Sequence, residues 1–331
     1  MFSKRSFALI LAASVALTGC GALKDVLPEK KATSVLSGRE GIDGQVLAVK
    51  IDDTSSAHPQ IGLENADVVY IEQVEGGLTR LAAIFSTVIP QRVGPVRSAR
   101  ISDIDILRQY GRIAFAYSGA QRKLLTVIKQ ANVEDLGAQH ESPTIYTTDP
   151  QRISPYAMVL RADLLMQKIK EEKLSVDTAK NVGFVFGDLP EGGKAVNKVV
   201  MKWPAATYSA QWSSQDSRWH LSHNGKLNRA DSGVVLGPTT LVIQMVKIVP
   251  SEYSDKLGGI TPLSETIGTG KAYVLRNGEV FTTIWNRATP DSGTTFTFSD
   301  GSVMKFAPGQ IWVALNDREP EFTWRTVEKT K

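Results

Sequence analysis

The chain has 331 residues with 38 basic and 34 acidic side chains, a formal charge of +4. Hydrophobic residues make up 42% and charged residues 22%. That balance excludes a disordered or fibrous chain, and so small a dispersed excess gives no ground for nucleic-acid binding. One cysteine, Cys20, excludes a disulfide framework and any zinc site built on cysteines.

The first residues read MFSKRSFALILAASVALTGC. Lys4 and Arg5 form a short positive start. Residues 7–17 are apolar apart from Ser14, and Leu17-Thr18-Gly19 leads into Cys20. A charged start, a short apolar run and a small-residue exit describe a secretory signal, and the run is too short for a comfortable span of about 20 residues. Leu-Thr-Gly-Cys resembles the bacterial lipobox, which implies cleavage before Cys20 and a diacylglycerol on its thiol. Removing residues 1–19 takes Lys4 and Arg5 with it, leaving 36 basic against 34 acidic side chains, or +2. The expected mature protein is tethered through Cys20 to the outer face of the cell membrane. Several acyl chains, at about 0.8 kcal/mol per buried CH₂, hold such a protein stably.

Residues 20–44 carry Gly, Pro, Ser and charges with little apolar periodicity, and are expected to be a lipid-anchored linker. Residues 45–51, 66–71, 79–88 and 112–117 predict strands. Residues 101–110, with Ile101, Ile104 and Leu107 at helical spacing, predict a helix, as do 123–131 and 157–173. Strands and helices alternate, so residues 45–175 are expected to form an α+β or α/β domain. The second half changes character. Asn224-Gly225, Asn277-Gly278 and Asp300-Gly301 are hairpin signals, and 241–249 predicts one long strand. All six tryptophans lie in this half. Residues 176–331 are expected to form a smaller β-rich domain, barrel- or sandwich-like, with a tryptophan cluster.

Residues 66–100 carry the strongest chemical signal. Glu72 and Glu75 flank the end of a strand, Gly76-Gly77 turns the chain, and Thr79-Arg80 begins the return. Gly94-Pro95 then leads into Arg97-Ser98-Ala99-Arg100. Arginines 80, 92, 97, 100, 108 and 112 fall within 33 residues that contain no lysine. A guanidinium presents a fork of donors matched to carboxylate or phosphate, and Arg97 and Arg100 sit where a helix begins, next to free amides. An anionic ligand is the inference, although for any one arginine an internal salt bridge is the commoner use. Residues three apart on a strand point to opposite faces, so Glu75 alone, rather than a Glu72/Glu75 dyad, is the candidate general acid or base. Its commoner use would be pairing with Arg80 or capping backbone amides.

The histidines at 58, 140, 220 and 223 form no His-x-His or His-x-x-x-His pair, so no metal site is expected, and no cofactor. Gly268-Thr269-Gly270-Lys271 fails as a phosphate loop because Glu265 stands where a glycine is required. Ser98 and Ser118 lack the Gly-x-Ser-x-Gly setting of a serine hydrolase.

Several motifs carry a family resemblance. His58-Pro59-Gln60-x-Gly62-Leu63 continues through Ala66-Asp67-Val68-Val69-Tyr70, Glu75-Gly76-Gly77-x-Thr79-Arg80 and Val93-Gly94-Pro95-Val96-Arg97-Ser98-Ala99-Arg100. Later come Gly268-Thr269-Gly270-Lys271-x-Tyr273-Val274-x-Arg276-x-Gly278, Trp285 and Pro308-Gly309-Gln310-x-Trp312. Together these resemble the YerB-type lipoproteins of Gram-positive bacteria, a two-domain family of unknown function. The resemblance covers most of residues 45–315 and implies a lipoprotein outside the membrane, with no settled activity. It departs at Ala116-Tyr117-Ser118-Gly119 and Pro155-Tyr156-Ala157, where relatives carry histidines. Only Glu75, Thr79, Arg80, Arg97, Ser98 and Arg100 are carried over.

The expected function is binding of an anionic or glycan component of the cell envelope. Arg80, Arg97 and Arg100 would hold the anion, Thr79 and Ser98 would donate hydrogen bonds, and Glu75 would orient Arg80 or a ligand hydroxyl. One alternative is a wall-glycan-cleaving enzyme that uses Glu75. Another is a structural partner of other envelope proteins.

Overall fold

The computed structural model describes residues 31–325. The signal, Cys20 and the start of the linker lie outside the described residues. The described residues from Ala32 to Arg325 form one compact unit.

Strands β1 (Leu47–Asp52), β2 (Val68–Gln73) and β3 (Thr79–Phe85) are rich in β-branched and other apolar residues. They pair in the order β2-β3-β1, antiparallel throughout. Beyond β1 the sheet continues through Ile113–Ala116 and Val133–Asp135, both parallel. On the other side β2 pairs in parallel with Ile311–Asn316, which pairs in parallel with Thr240–Met245. The path then runs through Gly268–Arg276, Glu279–Arg287, Lys194–Lys202, Thr207–Ser213, Arg218–His223 and Lys226–Leu227.

The two halves of the sequence therefore share one sheet, joined where Ile311–Asn316 lies between β2 and Thr240–Met245. Of the barrel- or sandwich-like alternatives expected for residues 176–331, this corrects the barrel, because the path of paired strands is open at Val133–Asp135 and at Lys226–Leu227. The central strands read as continuous apolar runs because both faces are covered. Val49, Ile51, Val69, Ile71, Leu81 and Trp312 pack into one core with Leu165 and Ile169 of α3 (Ala162–Glu171) and with Trp203, Tyr208 and Trp219. Ala48, Val68, Tyr70, Ile84, Phe115 and Val313 pack into the other. That second core also takes up α1 (Ile101–Arg108), α2 (Arg122–Gln130) and Phe184, Phe296 and Phe306. Trp285 belongs to this second core, so the tryptophans do not form one cluster.

Three local expectations change. Residues 157–173 do not form one helix: Met158–Arg161 is a strand paired with Tyr146–Thr148 and Arg92–Val93, and α3 starts only at Ala162. Residues 241–249 are not one strand either. The chain leaves the sheet at Val246, whose amide donates to Asn316 O, and Ile248–Ser254 forms a separate hairpin with Ile260–Ser264. Residues 32–44 are not a free linker. Leu36 is fully buried, Ser37 Oγ donates to Asp67 Oδ1 (2.6 Å), and Gly309 N donates to Ser37 O (2.7 Å). The Asn224-Gly225 and Asn277-Gly278 turns form as expected, with all four residues at positive φ and the flanking residues paired across two-residue loops.

Candidate functional site

Glu75 opens a 3₁₀ turn at the end of β2, followed by Gly76 (φ 67°) and Gly77 (φ 71°). Left-handed backbone favours glycine at both, and a Cβ on Gly77 would meet Pro204 Cβ at 2.4 Å. The turn directs the Glu75 carboxylate to Arg100, whose Nε lies 2.7 Å from Oε1, and Thr261 Oγ1 donates to the same carboxylate. Burial would raise the Glu75 pKa, but Arg100 and the Thr261 hydrogen bond outweigh it and the pKa is lowered.

Arg100 is the N-cap of α1, and its amide donates to Asp103 Oδ2 (2.7 Å). Arg80 lies near the start of β3, across from Glu72 and Asp52, and its Nη1 donates to Ser98 O (2.8 Å). Arg97 is tied by its amide to Lys50 O, and its Nε lies 2.6 Å from Asp52 Oδ2. Ser98 turns its carbonyl to Arg80, while its hydroxyl lies 3.4 Å from Ser118 Oγ.

Glu75, Arg80, Arg97, Ser98 and Arg100 thus converge on one open cleft of about 490 Å³. The start of α2 and the 253–257 end of the 248–264 hairpin complete its wall and add the exposed cations Arg122 and Lys256. Five basic side chains line the cleft against two carboxylates, Glu75 and Asp255. Asp255 Oδ1 is engaged by the amides of Leu257 and Gly259. Burial, and then the nearby guanidiniums of Arg100 and Arg97, lower the Arg80 pKa to about 9. Like charges crowded in this way favour an incoming anion, and the amides at the start of α2 favour it further.

Thr79 is not part of this cleft. It is buried on the opposite side of the strand and donates to Asp53 Oδ2 (2.6 Å). Adjacent strand residues face opposite ways, so Thr79 and Arg80 cannot serve one ligand. Glu72 also stays out: it is fully buried, with Lys50 Nζ against its Oε1. Of the two glutamates only Glu75 faces the cleft. Its lowered pKa and its pairing with Arg100 suit a charge balancer better than a general acid, whose pKa needs to be raised. Sequence reasoning missed Arg122, which lies just outside the arginine-dense window, and Lys256, which only the hairpin brings near.

The other three arginines of the 80–112 window pair outside the cleft. Arg92 Nη2 lies 3.1 Å from Asp149, Arg108 Nε lies 2.8 Å from Asp291, and Arg112 Nη2 lies 2.8 Å from Glu134. On the strand face opposite the cleft, the fold also gathers Asp53, His58 and His223, which no local spacing rule could connect.

The chain is 22% identical over 310 residues to the "Putative lipoprotein YerB" of Bacillus subtilis, covering 88% of this chain and 89% of that protein. Its fold is similar to the crystal structure of YerB protein from Bacillus subtilis, with a TM-score of 0.76 at 18% identity, covering 88% of this chain and all of the other. Family models match residues 33–175, described as "Protein of unknown function (DUF3048) N-terminal domain", and residues 199–313, described as the corresponding C-terminal domain. With both models matched in order across most of its length, the chain belongs to the YerB-type family of two-domain proteins of unknown function.

Proposed function

We propose that this protein is a lipoprotein of the cell envelope that binds an anionic envelope component in the Arg80–Arg97–Arg100 cleft. The observation that carries this reading is the excess of five basic over two acidic side chains around one open cleft. The lipoprotein part is supported by the Leu-Thr-Gly-Cys sequence ending at Cys20, by the name of the Bacillus subtilis relative, and by the lack of any membrane-length apolar helix among the described residues. The ligand class is a phosphate- or carboxylate-bearing wall polymer, because paired guanidinium forks match those groups bidentately.

The test is a titration of the purified chain from residue 21 onward with a phosphate-bearing wall polymer. Arg97→Ala/Arg100→Ala should weaken binding at least about tenfold, and raised salt should weaken the unsubstituted protein. Unchanged binding in the double variant overturns the site.

A further inference from the structure

On the far side of the sheet from the cleft, Asp53 follows the last residue of β1. It meets His58 from the next loop and His223 from the end of the Arg218–His223 strand. One ligand atom of each lies within 4.8 Å of the others. His58 Nε2 is 3.3 Å from Asp53 Oδ1, and His223 Nε2 is 4.0 Å from Asp53 Oδ2. The two imidazoles stack with centroids 4.6 Å apart and planes 10° apart, and each has its Nε2 near the same carboxylate.

The protons leave this cluster incomplete. His58 Nδ1 donates to Asn228 Oδ1 (3.0 Å), so in the neutral ring Nε2 carries a lone pair toward Asp53. His223 has 4% of its side chain exposed, and its Nε2 has no hydrogen-bond partner. Gln60 is fully buried, and its Nε2 lies 3.2 Å from both Asp53 Oδ1 and His58 Nε2, while its Oε1 has no partner. Two imidazole nitrogens, a carboxylate and a buried amide therefore meet at one point where a positive charge is called for.

We propose that Asp53, His58 and His223 bind a divalent transition metal of the zinc class. Tetrahedral zinc with ligands about 2.0–2.1 Å away has ligand–ligand edges of about 3.3–3.4 Å. The His58–Asp53 pair already has that separation, whereas the three ligand atoms together lie within 4.8 Å, so His223 has to turn out of the ring stack and close by up to about 1.5 Å. A half-turn of the Gln60 amide exchanges Nε2 for Oε1 and supplies an oxygen as the fourth ligand. Two imidazoles select zinc-like ions over calcium or magnesium, which take oxygen ligands. The surroundings are those of a metal centre. Asn228 fixes the His58 tautomer, while Thr79 Oγ1 (2.6 Å) and Tyr208 OH (2.7 Å) orient the Asp53 carboxylate. The partly exposed edge of His58, with 17% of its side chain open to solvent, is the entry path. Because the ligands come from residues 53–58 and from residue 223, the ion would tie the two halves of the chain together.

The test uses the chain from residue 21 onward, stripped with chelator and titrated with Zn²⁺ by calorimetry and with Co²⁺ by visible absorption. The expected result is one equivalent of metal and an intense tetrahedral Co²⁺ spectrum, both lost in His58→Ala. His220→Ala should bind like the unsubstituted protein, because His220 lies outside the cluster. Asn228→Ala keeps all three ligands and should bind about 10–100-fold more weakly. If His58→Ala does not fold, the Asn228→Ala shift and the Co²⁺ spectrum of the unsubstituted protein decide the matter. No bound equivalent, or an octahedral Co²⁺ spectrum that His58→Ala leaves unchanged, overturns the proposal and makes the cluster a proton-sharing hydrogen-bond network.

Discussion

Arg100 Nε lies 2.7 Å from Glu75 Oε1, so the carboxylate at the neck of the cleft is already committed to one of the cleft's own arginines. That single ion pair separates the two leading chemical readings of Glu75. A general acid has to keep its proton near neutral pH, whereas Glu75 is held ionised by Arg100 and Thr261 against the opposing effect of burial.

Glu75→Gln should therefore strengthen anion binding. The substitution removes one of two negative charges facing five positive ones, and at cleft distances this is worth about threefold to tenfold in affinity. The glutamine oxygen still accepts from Thr261, so the stability loss should be about 1–3 kcal/mol. A polymer titration and a glycan-turnover assay on the same variant check both points. Measurable turnover in the unsubstituted protein that disappears in Glu75→Gln would restore the enzyme reading.

The same carboxylate makes stability depend on acid. Its folded pKa is lowered, so between the folded and unfolded values the unfolded chain binds more protons and stability rises with pH. Its contribution is complete above the ordinary glutamate value and is lost as pH falls through the folded one. Urea midpoints of the unsubstituted protein and Glu75→Gln should differ at pH 6 and converge toward pH 3. A constant gap across that range would mean that Glu75 adds nothing through its charge.

The sequence carried the arginine cleft well because its residues are local. Arg97, Ser98 and Arg100 follow one Gly-Pro turn, and Glu75 and Arg80 flank one Gly-Gly turn. Thr79 shares a motif with Arg80, but period-two alternation sets its side chain on the other face of the strand, where it meets Asp53. The shared sheet was not legible, since the pairing of Val68 with Ile311 spans more than half the chain and leaves no local pattern. The Asp53–His58–His223 cluster was hidden for the same reason, as metal-ligand spacing rules apply within one element. Residues 157–173 look amphipathic throughout because Leu160, on the strand, and Leu165, on the helix, enter the same core.

Lys50 lies beneath the cleft, fully buried, with Nζ against Glu72 and 2.7 Å from Asp103. Burial, together with the positive fields of Arg80 and Arg100, lowers its pKa to about 8 despite Asp103. Lys50→Met should destabilise by about 3–5 kcal/mol, because it leaves two buried carboxylates without their cation. Chemical denaturation at pH 7 reads the loss. A change below about 1 kcal/mol would mean that Glu72 takes up a proton at little expense and that the triad is not needed for the fold.

Leu36 distinguishes a folded clasp from a free tether. It is fully buried among the residues of the α1/α2 core, within a turn closed by Gly38 N donating to Ser34 O (2.8 Å). If residues 32–44 were only a leash between a lipid and the body, Leu36→Ala would leave stability unchanged. Removing a buried leucine side chain should instead cost about 2–5 kcal/mol, set by how far the site can collapse. Ser37→Ala should add a separate loss of about 1–3 kcal/mol, because Asp67 Oδ1 gives up one of its buried donors. Thermal unfolding of both variants, with limited proteolysis before residue 45, checks the clasp. Unchanged stability and cleavage in Leu36→Ala would return residues 32–44 to the role of linker, and the free leash would then begin at Cys20 and end only at the first strand.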